Sequence, residues 1–223
     1  MCGRFALPIP AKSLAEHFSS NEFPGYEPRY NIAPTQYIPG IIKDKASGER
    51  LMKPFHWGLI PSWAKDMKIG SRLINARAET IAEKPSFRSA FRKRRCLVPA
   101  FGFYEWKKLE HEKQPYFIRM LDEKPFAFAG LWEQWQGGTE GPVDSCTIIT
   151  TEPNELLRQL HNRMPVILDP GDYDAWLDSD YNDKSALQQL LKPYPPGLMT
   201  SFPVSRHVNK PANNDPACIQ PVK

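Results

Sequence analysis

Cysteine is the second residue of this chain, directly after Met1. Initiator methionine is commonly removed ahead of a small residue, and an exposed Cys2 would then carry two nucleophiles on adjacent carbons. The α-amine titrates at about 7.7 to 8.0 and the thiol at about 8.5, so both are partly nucleophilic near neutral pH. The amine can condense with an aldehyde to a Schiff base, and the thiol can close on the imine carbon to give a thiazolidine; an internal cysteine cannot do both. A cysteine can also stand second by chance, but MCGRF opens the chain with no leader, and Gly3 lets the backbone beside the nucleophile come close to a ligand.

Other residues offer matching chemistry. Asn75 lies in an apolar-flanked strand, where its amide both donates and accepts; it either satisfies backbone groups or holds a hydroxylated ligand. Glu105, between Tyr104 and Trp106, would be desolvated and shuttle protons near neutrality if it faces inward, and would be an ordinary surface carboxylate if it faces out. His161 falls at the C-terminal end of an expected helix, whose negative pole should favour its protonated form. Arg4, Arg77 and Arg163 stand one or two positions from these groups. They suit bidentate phosphate contacts, with pairing to Glu79 or Glu105 as the structural alternative. The run Arg92, Lys93, Arg94, Arg95 reads as a solvated helix face, and His17, His56, His111 and His207 suggest no role.

The segments RYNIAP, LINARAET, GFYEW and LHNRMPVIL, together with MCGRF, resemble the SOS-response-associated peptidase (SRAP) family in order and spacing, and FPVSRHVN and CIQPV extend the likeness over essentially the whole chain. Each string is short; five in order are specific. The resemblance implies an abasic-site sensor and shield whose mature Cys2 forms a thiazolidine crosslink to the abasic-site aldehyde in single-stranded DNA. It also implies autocatalytic removal of Met1 and a lyase-like step. It assigns Cys2, Asn75, Glu105 and His161 to catalysis and Pro34 and Trp63 to an apolar wedge beside the lesion; with Arg4, Arg77, Arg163 and Asn31, these two are the residues expected to bind DNA. Core packing is the alternative for Trp63.

Two rival readings separate from this one. A class II glutamine amidotransferase also matures from Met-Cys-Gly, but it continues with an apolar residue and a further glycine where Arg4 and Phe5 stand here. A noncovalent single-strand binder would need no Cys2.

Positioning falls to short elements. Helices are expected over 12–18, 86–94, 154–161, 172–177 and 184–191, with Asn154 as an N-cap. Strands are expected in CGRFAL, YIPGII, MKPFHWGLI, CLVPAFGFYEW, PYFIRML, FAFAGLW and CTIIT, and EPRYNIAPTQ reads as an ordered loop. The expected fold is α+β, a mostly antiparallel, barrel-like sheet surrounded by helices, in a single domain over 1–223.

The 223 residues, 41% of them hydrophobic, suffice for one sizeable core, and the 23 prolines are spread along the chain rather than gathered in a linker. A net charge of +4 permits a nucleic-acid partner without requiring one. The absence of a signal-like or membrane-length apolar run points to a cytoplasmic protein, and a monomer is expected. Cys2, Cys96, Cys146 and Cys218 are too scattered for a disulfide framework, and no metal or cofactor is expected.

Overall fold

The computed structural model describes residues 2–139 and 141–222. In chain order the strands are β1 Phe5–Leu7, β2 Arg29–Ile32, β3 Tyr37–Lys43, β4 Arg50–Trp57, β5 Asn75–Arg77, β6 Arg95–Ala100, β7 Gly102–Lys108, β8 Lys113–Met120, β9 Phe126–Trp135, β10 Val143–Thr151, β11 Met164–Pro165, β12 Ile167–Leu168 and β13 Met199–Pro203. The helices are α1 Ala11–Phe18, α2 Arg88–Lys93, α3 Glu155–Arg158, α4 Tyr173–Leu177 and α5 Lys184–Gln189. All are short. None is long and apolar enough to cross a membrane among the described residues.

Strands β10, β4, β3, β6 and β9 pair in that order and β9 returns to β10, which closes a five-stranded barrel. A ring with an odd number of strands cannot alternate direction all the way round. One neighbouring pair has to be parallel, and it is β4 with β10. Closure satisfies edges that would otherwise stay unpaired. Strands β5, β11 and β12 attach to this barrel through β10 and β9. The second sheet, β13-β8-β7-β1-β2, is antiparallel throughout. The fold is therefore mixed α+β with a barrel core.

Aromatic side chains join the two sheets. Phe5 of β1 packs edge-on against Trp57 and Phe128 of the barrel, with ring centroids 5.3 and 5.9 Å apart, and Phe103 of β7 meets Phe128 at 5.8 Å. Tyr104, on the other face of β7, belongs to a separate cluster with Phe117, Val204, Val208 and Cys218. Strand alternation then puts Glu105 on the face that Phe103 presents to the barrel.

Two expectations about the elements change. EPRYNIAPTQ contains β2, because Phe5 and Leu7 pair with Ile32 and Arg29. The run CLVPAFGFYEW is two strands, since the Phe101 N–H bonds the Ala6 carbonyl and the chain passes from the barrel to the second sheet there. Gly102 permits the crossing: a Cβ on it would lie 2.7 Å from the Ile118 carbonyl oxygen.

The helices obey local rules. Leu14, Ala15 and Phe18 bury one face of α1, and Ser19 ends it in the left-handed conformation. Asn154 caps α3 by accepting the Leu157 N–H at 2.9 Å. The basic run is not a solvated face as expected. Arg95 is 3% exposed and donates to carbonyls of Phe91, Arg92, Trp176, Asp178 and Tyr181, while Arg94 pairs with Glu133 at 2.7 Å. Only Arg92 and Lys93 are exposed.

Candidate active site and nucleic-acid interface

The proposed catalytic residues come from four segments and converge where the barrel meets the second sheet. Cys2 precedes β1 and is fully buried. Asn75 begins β5, opposite Ile148 of β10, and its amide nitrogen donates to the Cys2 carbonyl at 2.9 Å. The Asn75 Oδ1 is buried and has no hydrogen-bond partner among the described residues. Glu105 is 3% exposed. Arg4, Glu105, Trp106, Lys113, His161 and Asn209 line an open cleft of about 410 Å³.

Burial sets the acid-base properties here. It pushes the Glu105 carboxyl up to about 7, within reach of proton exchange at neutral pH. It raises the Cys2 thiol well above the usual range, and the nearby Glu105 carboxylate adds to the effect while the Arg4 backbone N–H opposes it. The thiol therefore needs a proton acceptor to become a nucleophile.

His161 differs from the expectation. Its N–H closes the last turn of α3 on the Leu157 carbonyl at 2.8 Å, at the C-terminal end as expected, but desolvation lowers the imidazole pKa rather than a helix pole raising it. The Arg163 N–H donates to His161 Nδ1 at 3.0 Å, so the neutral ring carries its proton on Nε2.

The residues expected to meet DNA are placed in different ways. Arg77 and Trp63 are exposed, Trp63 at 59%, so core packing does not occupy Trp63; Pro34 is half-buried. One Arg4 nitrogen, Nη1, donates to Asn31 Oδ1 and the Val208 carbonyl, each at 2.8 Å, and the guanidinium lies 5.7 Å from the Trp106 ring centre. Arg163 grips Glu79, the structural alternative foreseen for it, at 2.7 and 3.0 Å. Asn31 is turned inward at 1% exposure, with its amide nitrogen donating to the carbonyls of Val208, Lys210 and Asn213. Both of its polar atoms are engaged. Its work in this fold is to fasten the C-terminal segment to β2 and to fix Arg4.

Sequence reasoning missed Trp106, Lys113 and Asn209 as cleft residues. Trp106 Nε1 donates to Asn209 Oδ1 at 2.8 Å, a pairing across 103 positions that no local pattern announces. Among the described residues, His207, Asp215 and Cys218 bring metal-ligand atoms within 4.8 Å of one another, but both His207 nitrogens already face Asp215 and Asn213.

The chain matches the family of SOS response associated peptidases over residues 1–211. It is 48% identical to the abasic site processing protein YoqW of Bacillus subtilis, with 99% of each chain covered. It is 32% identical to the abasic site processing protein HMCES of Pongo abelii, covering all of this chain and 76% of the relative. A crystal structure of a protein from Bacteroides thetaiotaomicron superposes with a TM-score of 0.90 at 29% identity, over the full length of both chains. This chain belongs to the SOS response associated peptidase (SRAP) family.

Proposed function

We propose that this protein processes abasic sites by forming a covalent thiazolidine between Cys2 and the abasic-site aldehyde in single-stranded DNA, once Met1 has been removed. The observation that carries the reading is the placement of Cys2, held through its carbonyl by Asn75, beside a buried carboxyl poised near neutrality at an open cleft. The relatives, named abasic site processing proteins, support the substrate.

The chemistry runs in three steps. Water hydrolyses the Met1–Cys2 amide, releasing methionine and freeing the Cys2 amine; until then the nitrogen lone pair is delocalised and cannot form a Schiff base. The amine adds to the aldehyde carbon of the ring-opened sugar, and water leaves to give the imine. The thiol sulfur then bonds the same carbon while its proton passes to the nitrogen. Glu105 accepts and returns protons in these steps, assisted by His161, and Asn75 Oδ1 accepts from a sugar hydroxyl. The lyase-like step departs from the imine: a base takes a C2′ proton and the 3′ phosphate leaves by β-elimination, whereas reversal of ring closure and of the imine only returns the abasic aldehyde. Arg4, Arg77 and Arg163 supply charge to the DNA backbone on either side of the lesion, with Trp63 and Pro34 as the apolar wedge. Met1 lies outside the described residues.

The test is a denaturing gel of protein with a single-stranded oligonucleotide carrying one abasic site, with Met1 status fixed by intact mass. Met1-free protein gives a denaturant-resistant band, and Cys2→Ala and Met1-bearing protein give none. A crosslink from Met1-bearing protein, or no crosslink from Met1-free protein, refutes the mechanism. A glutaminase assay should be blank.

A further inference from the structure

We infer that Glu79 is a positioning residue of this site, acting through Arg163 to hold the turn that carries His161. The inference rests on the proposed function for its catalytic readout and on geometry for the rest. Arginine has five N–H groups. In Arg163, Nη1 donates to Glu79 Oε1 at 2.7 Å, and Nη2 donates to Glu79 Oε2 at 3.0 Å and to the Thr150 carbonyl at 2.6 Å. The Nε is buried without a partner among the described residues. One Nη1 N–H is left over. Glu79 fills the Nη1–Nη2 edge, and the Nε–Nη2 edge is blocked by the Thr150 carbonyl at Nη2 and by burial at Nε, so Arg163 in this arrangement gives DNA charge and at most a single N–H.

The segments joined by this arrangement explain its purpose. Thr150 of β10 faces Arg77 of β5 on one side and Pro165 of β11 on the other, and its carbonyl also accepts the Ala78 N–H at 2.9 Å. The Glu79–Arg163 pair therefore bridges β10 from the end of the strand carrying Asn75 to the turn carrying His161. The backbone N–H of the same Arg163 fixes His161 Nδ1 at 3.0 Å, which leaves Nε2 as the nitrogen that holds the exchangeable proton. Pulling Arg163 loose frees the turn and the tautomer together. Arg163 as an independent phosphate ligand would not need an acidic partner, whose charge weakens attraction to DNA.

Glu79→Gln keeps the size of the side chain and removes its charge, and the Glu79 side chain is half exposed, so the fold should survive. Ring nitrogen and proton NMR signals of His161 should move on substitution, reporting a mixed tautomer. The rate of adduct formation on abasic single-stranded DNA should fall roughly tenfold or more, as misplacement of a reacting group does. Affinity for an undamaged single-stranded oligonucleotide and its salt dependence should stay within about twofold. Unchanged His161 signals, or tighter binding of undamaged DNA with a steeper salt slope, would overturn the inference; the latter would make Glu79 a stand-in for phosphate. Absence of any crosslink by the unsubstituted, Met1-free protein would sink the proposed function instead, and the NMR result would still decide the role of Glu79.

Discussion

Replacing Asn31 by alanine separates a contact with DNA from a contact with the protein's own C-terminal segment. The substitution removes the two amide N–H groups, which are shared among the carbonyls of Val208, Lys210 and Asn213, and the bond accepted from Arg4. At about 1 kcal/mol net per bond the loss is about 3 kcal/mol. Orphaned groups do not raise it much. Lys210 keeps the Asn213 N–H, Val208 keeps Arg4 Nη1, and Asn213 keeps the Cys218 thiol, so each carbonyl retains a partner. Asn214 still binds the backbone N–H groups of Tyr30 and Asn31 through its Oδ1, which limits the detachment. We therefore expect a destabilisation of about 3 kcal/mol by urea unfolding, corresponding to a fall of roughly 10 °C in Tm for a chain of this size. Binding of undamaged single-stranded DNA, measured well below the lowered Tm, should weaken by no more than the partial release of Arg4 causes, about threefold. A loss of under 1 kcal/mol in stability combined with a tenfold or greater loss of affinity would refute the reasoning and make Asn31 a DNA ligand.

Glu105→Gln should lose adduct formation and become more stable relative to the parent as pH rises. A carboxyl whose folded pKa is raised from 4.5 to about 7 binds more protons folded than unfolded between those values, so the native protein loses stability across that interval, by up to about 3 kcal/mol. The stability gap between variant and parent should therefore widen from pH 5 to pH 8 in paired urea titrations, and a constant gap would show that the carboxyl titrates normally. Trp63→Ala should leave unfolding within about 0.5 kcal/mol, since the side chain is 59% exposed, but cost about 1 to 3 kcal/mol in single-stranded DNA binding if it stacks on a base. Asn154→Ala removes the α3 cap and the 2.7 Å bond to the Tyr194 carbonyl, and should cost about 2 kcal/mol in thermal unfolding with no change in adduct rate per folded molecule.

Local patterns in the sequence determined a good deal. Apolar spacing located the helices to within a few residues, and the short apolar runs punctuated by turns located most of the barrel strands, because amphipathic periodicity survives in sequence whatever the tertiary partner is. The order and spacing of five motifs identified the family. The chemistry open to Cys2 followed from its place in the chain and needed no fold.

Tertiary structure decided what depends on partners distant in sequence. Strand β2 exists because β1 pairs with it, and RYNI lacks the clean alternation that would have announced a strand. Which way Glu105 faces was undecidable from alternation, since a period of two has two phases; Phe103 packing on Phe128 of the barrel chose the buried phase and so raised the carboxyl pKa. His161 closes the last turn of α3 through its N–H on the Leu157 carbonyl, yet desolvation rather than the helix pole sets the direction of its titration. Charge in the sequence did not show its use either. Arg95 was absorbed into the interior by five backbone carbonyls, and Arg163 was tied to Glu79 across 84 positions. A guanidinium looks the same in sequence whether it faces solvent, DNA or its own chain, and only the three-dimensional supply of acceptors settles which.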